Sequence, residues 1–174
     1  MKFLLLYAKK LTAGSNLLIY CMSDQKALFL KNDLLLLVKK LNGNETGKWG
    51  KMNAQQMVEH TAAFFKVSTE KIKFPLTTPV EHLPKYKEFL WSDKEFKENT
   101  KAPVLPEDPL PLHYASMQQA TEDLGKSVND FFSFFKDDPT KTTLHPAFGE
   151  LNFDEWVQLH YKHVVHHLKQ FGLM

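Results

Sequence analysis

A chain of 174 residues, 43% hydrophobic and 24% charged with a net charge of +2, is long enough to bury one sizeable core. Its charge is too evenly balanced, and too free of basic tracts, for a nucleic-acid binder. Nothing in it approaches the ~20 consecutive apolar residues of a membrane span, and a single cysteine, Cys21, excludes an internal disulfide and fits a cytoplasmic location.

The first 21 residues are set apart from the rest. The apolar run from Phe3 to Ala8 stops at Lys9 and Lys10, and a second short run, Leu17 to Cys21, follows a polar stretch. Neither has the length or cleavage site of a secretory signal. Residues 1–21 are read as an N-terminal extension, with Met22 as the natural start of one domain over 22–174.

Helical periodicity begins at about Asp24 and runs to Leu41, with Leu30, Leu34, Leu37, Val38 and Leu41 on one stripe and Asn42-Gly43 as the stop. A second helix follows Asn53, an N-cap with Gln56 at the capping-box position, and extends to about Val67. His60 sits within its apolar face, beside Met57 and Phe64. Residues 68–112 carry seven prolines and read as an irregular crossover with a short helix over Lys85 to Trp91. A third long helix spans about Tyr114 to Lys136, and a linker containing His145-Pro146-Ala147-Phe148-Gly149 leads to a fourth. That last helix opens on a second capping box, Asn152 and Glu155, and ends near Phe171-Gly172. The fold expected is all-α: a four-helix bundle with one long irregular crossover between helices 2 and 3.

The last helix holds four of the eight histidines: His160, His163, His166 and His167. At about 100° per residue, His160, His163 and His167 fall within roughly 60° of arc, on the face that carries Trp156 and Phe171. Core-directed imidazoles have two nitrogens each to satisfy. A lone one does so on a backbone carbonyl; an i, i+4 pair can instead share a metal ion. His60 is the third ligand expected. Three nitrogen ligands leave a coordination position open, and imidazoles suit Zn, Ni, Fe or Cu. His160 is read as a supporting residue behind the metal or as an acid/base beside it, and Trp156, Gln170 and His145 as supporting or substrate-contacting residues. Glu59 points about 100° away from His60, and Phe64 stands where a zinc-protease helix would place its second histidine, so that reading fails.

These residues resemble the DinB/YfiT-like superfamily of metal-binding four-helix bundles. The likeness is carried by Trp49-Gly50-Lys51-Met52-Asn53 before the helix of His60, by His145-Pro146-x-Phe148-Gly149, by Trp156, and by His163-x-x-His166-His167-Leu168-x-Gln170-Phe171-Gly172. The resemblance implies a divalent metal, Zn or Ni, on His60, His163 and His167. It also implies a low-molecular-weight thiol as co-substrate of an S-transferase. The final His-His-Leu-Lys-Gln departs from the His-His-Arg-Gly-Gln frequent in those transferases. The expectation is a metal-dependent enzyme acting on a small molecule. The alternatives are a metal-dependent hydrolase and a non-enzymatic bundle, the latter acting through its surface or as a homodimer.

Overall fold

The computed structural model describes residues 24–100, 102 and 104–174. The N-terminal extension, the Met22 start and Cys21 lie outside the described residues. Helix α1 covers residues 24–38, with a π-type middle, Phe29–Asp33, before its last α-helical turn, Leu34–Val38. The wider π turn shifts the register of the apolar stripe, and Leu30, Leu34 and Val38 all remain buried. α1 stops short of Leu41.

α2 (Ala54–Ser68) and α5 (Phe153–Gln170) each start on a complete capping box. Asn53 accepts from the backbone of Gln56 at 2.8 Å, and the Gln56 side chain accepts from the backbone of Asn53 at 3.0 Å. Asn152 and Glu155 repeat the exchange at 3.1 and 3.0 Å. Two otherwise orphaned N–H groups are satisfied at each start, which fixes where each helix begins and therefore the height of every histidine on it. α4 (Met117–Phe135) is capped by the Ser116 hydroxyl, and the short α3 (Leu83–Trp91) interrupts the crossover with proline in its first turn.

The linker before α5 is not featureless. Thr143–His145 (β1) and Gly149–Leu151 (β2) form an antiparallel hairpin, with Thr143 opposite Leu151 and His145 opposite Gly149. This corrects the all-α expectation: among the described residues the chain is mostly helical, with five helices and one two-stranded sheet. Gly149 takes φ 75°, a left-handed value that a side chain resists, to turn the chain into β2. The hairpin is bolted to its surroundings: Pro146 O accepts from Thr77 N at 2.8 Å, and the Thr143 hydroxyl donates to Ser68 O at 2.9 Å while accepting from Trp156 Nε1 at 2.8 Å.

α2 makes its most extensive helix contact with α4. Phe65, Phe131, Phe135 and Trp156 are buried between the helices and supply most of the aromatic core. No described helix is long and apolar enough to cross a membrane.

Candidate metal centre

α2 and α5 place three imidazoles around one point. The ring of His60 lies 4.9 Å from that of His163 and 5.0 Å from that of His167, and the latter two are 4.5 Å apart. The Nε2 atoms lie closer still: His60 to His163 is 2.9 Å, and His163 to His167 is 3.2 Å. One ligand atom from each residue falls within 4.8 Å of the other two. Two nitrogens bound at about 2.05 Å to a tetrahedral ion stand about 3.3 Å apart, so these spacings suit such an ion with little adjustment.

The proton inventory points the same way. The Gln170 amide nitrogen donates to Trp49 O at 2.6 Å, which leaves its oxygen facing His167 Nδ1 at 2.8 Å. His167 therefore carries its proton on Nδ1 and turns a lone pair inward from Nε2. His163 Nδ1 is buried without a hydrogen-bond partner. Whichever nitrogen of a neutral His163 holds the proton, one buried nitrogen stays unsatisfied. A cation at the centre would take up the inward lone pairs together.

Burial keeps the cluster unprotonated. It pushes His60 down to about 4, with a smaller contribution from His166. It also holds His163 and His167 well below the usual imidazole value, with further lowering from the neighbouring histidines. Three neutral nitrogen donors are the form a transition metal needs.

Phe64, one turn after His60, packs its ring 4.3 Å from His163 and closes one side. The loop before α2 closes another. Lys48 N donates to Gln170 O at 2.7 Å, and a Cβ at Gly47 would lie 2.8 Å from Gln170 Cγ. At Gly50, which also has φ 79°, a Cβ would lie 2.7 Å from Gln170 Nε2. Glycine is required here because the loop backbone runs against the side chain that orients His167. Trp49, His166 and Phe64 are neighbours of the cluster to which sequence reasoning gave no role; the Trp49-Gly50 pair was the only signal pointing to the loop.

The other expected site residues lie elsewhere. His160 is fully buried, stacked 3.9 Å from Phe65 at 10°, with Nε2 on the Ser68 hydroxyl at 3.0 Å. In this position His160 is part of the core, one turn from the cluster, and contacts none of the three imidazole nitrogens that converge. Trp156 is a fully buried core residue anchored on Thr143. His145 Nδ1 accepts from Ala147 N at 3.0 Å and Phe148 N at 3.2 Å, so it shapes the hairpin rather than the metal cluster. Gln170 alone of the supporting residues touches a cluster imidazole. Glu59 turns away as expected, accepting from His113 N at 2.7 Å and Tyr114 N at 3.1 Å, and so ties down the end of the crossover.

Comparison with known families identifies the chain. Residues 32–174 match the family described as "Protein of unknown function (DUF1569)", and the chain belongs to that family. No curated protein matches it. The family assignment overturns the resemblance to the DinB/YfiT-like superfamily, because the match covers nearly all of the proposed domain and names a different family.

Proposed function

We propose that the chain is a metal-dependent enzyme in which His60, His163 and His167 hold one divalent transition ion, Zn or Ni, with a coordination position left for a small molecule. The observation that carries this reading is the convergence of three Nε2 atoms, with spacings of 2.9 and 3.2 Å, from two separate helices. A three-nitrogen set leaves the ion's double charge undiminished, so the ion would lower the pKa of a thiol or water sharing it. The chain's own residues then act as a frame: Gln170 fixes the His167 tautomer, Phe64 and Trp49 wall off water, and burial keeps protons from competing.

The reaction we favour is transfer of a low-molecular-weight thiol to an electrophile in a cytoplasmic setting. Among the described residues, the titratable groups that act on the three imidazoles are other histidines and not carboxylates. Hydrolysis profits from a general base beside the attacking water; thiol activation needs only the metal. The same reading takes α1, α2, α4 and α5 as a four-helix bundle. It is supported by a closed ring of contacts, α1 to α4, α4 to α2, α2 to α5 and α5 to α1.

The test is metal analysis after metal-supplemented expression, followed by turnover of aryl halide, epoxide and ester probes with and without added thiol. About one equivalent of metal and thiol-dependent loss of an electrophile are expected. Hydrolysis without thiol would replace the transferase with a hydrolase. Metal below about a tenth of an equivalent would remove both.

A further inference from the structure

A cleft of about 280 Å³ opens on the opposite flank of α5, between the first turn of α1 and the residues after α3. Lys26, Trp91, Asp93, Tyr161, Lys162 and His166 line it. Two ammonium groups face it, and among the described residues neither lies at ion-pair distance from a carboxylate. They are held by neutral acceptors instead. Lys26 Nζ donates to Gln158 Oε1 at 2.5 Å, and Lys162 Nζ donates to Ser92 O at 2.5 Å and Lys94 O at 2.6 Å. An ammonium has three protons to give. Two remain on Lys26 and one on Lys162 beyond these bonds.

The charge balance of the cleft sets the ligand. Glu95 is taken up by Lys169 at 2.5 Å. Asp93 acts electrostatically on both Lys26 and Lys162 without bonding to either. Glu95 lines the cleft too, and with its partner Lys169 counted, three positive charges against two negative leave a surplus of one. A monoanion placed between the two lysines would accept their remaining ammonium protons and balance that charge. The remaining wall is aromatic and apolar: Trp91 leaves 44% of its surface exposed at the rim, and Tyr161 lies beneath Lys26 at 5.4 Å. A flat ring or short hydrocarbon fits there, with its charged end toward the lysines.

We propose that this cleft is a binding site for a small organic monocarboxylate with an aromatic or aliphatic body, its carboxylate bridging Lys26 and Lys162. The site stands apart from the metal centre. The ring of His166 lies between them, 5.2 Å from that of His167.

The experiment is calorimetric titration of chelator-treated full-length protein with benzoate, benzamide and inorganic phosphate. Removing metal leaves the lysines as the carboxylate's partners, so failure here and failure of the metal reading are separate results. Benzoate is expected to bind with a Kd of about 1 mM, and the neutral benzamide and phosphate at least about tenfold more weakly. Lys26→Ala and Lys162→Ala should each weaken benzoate about fivefold or more. Should the lysine variants unfold, Asp93→Asn supplies the second readout: it should tighten benzoate about threefold. Absence of saturable benzoate binding up to about 20 mM, equal binding of benzamide, or indifference to both Lys26→Ala and Asp93→Asn overturns the proposal.

Discussion

Gln170 accepts the Nδ1 proton of His167 at 2.8 Å while its own amide nitrogen is spent on Trp49 O at 2.6 Å. The second bond makes the first unambiguous, since a flipped amide would set N–H against N–H and carbonyl against carbonyl. A residue that fixes an imidazole tautomer in this way acts on metal affinity without touching the metal. Gln170→Leu is expected to weaken Zn binding by about 10- to 100-fold, measured by competition with a chromophoric chelator. Equal affinity in Gln170→Leu and the parent would refute the orienting role.

His60→Ala should reduce bound metal below about a tenth of an equivalent, because two imidazoles on one helix are a much poorer site than three. Its helical circular dichroism should match the parent. His60 is partly exposed at the edge of the cluster, so its loss leaves no large void in the core. Stoichiometric metal in this variant would mean that α2 contributes no ligand.

The loop and the helix should behave as one unit. A Cβ at Gly47 would meet Gln170 Cγ at 2.8 Å and Trp49 O at 2.9 Å. Gly47→Ala must therefore displace Gln170, the loop, or both. It is expected to cost about 1–2 kcal/mol of stability and to weaken metal binding much as Gln170→Leu does. In a double-mutant cycle the two effects on affinity should overlap rather than add, with a coupling of about 1 kcal/mol. Additive losses would show that the glycine acts through something other than Gln170.

The parts of this arrangement that were legible in the sequence are those set by local chemistry. Asn53 with Gln56 and Asn152 with Glu155 announce their helices three residues apart, and His163 with His167 sit one turn apart wherever the helix goes. The hairpin was not legible, because Thr143–His145 and Gly149–Leu151 are too short to show alternation and Pro146 and Gly149 read as loop punctuation. His160 lies apart from the cluster for a geometric reason. A helical projection gives direction around the axis and not height along it. His160 shares the inward arc of His163 and His167 but lies one turn lower, at the level of Ser68 and Phe65 at the end of α2, whereas His163 and His167 stand level with His60. The Trp49–Gln170 bond joins residues 121 apart, a pairing that no local pattern encodes.

His145 gives the last prediction, and it concerns stability. Its Nδ1 accepts two backbone N–H bonds at the hairpin turn, a role open only to the neutral ring, and burial pushes its pKa down to about 3. In the unfolded chain the same ring titrates near about 6.5. Between those values the unfolded state binds a proton that the folded state refuses, so stability falls as pH falls. Above about 6.5 both states are neutral and His145 adds no slope; below about 3 both are charged and the loss levels off. From pH 7 to pH 5 this one group should remove about 2 kcal/mol, read as a lower urea midpoint in chelator-treated protein. The buried His160 and the metal cluster add loss of the same sign, so the comparison that isolates His145 is His145→Asn. Its amide oxygen can accept the same backbone bonds and does not titrate. That variant should show a pH dependence shallower by about 2 kcal/mol over the same interval, and an unaltered slope would place the proton of His145 elsewhere.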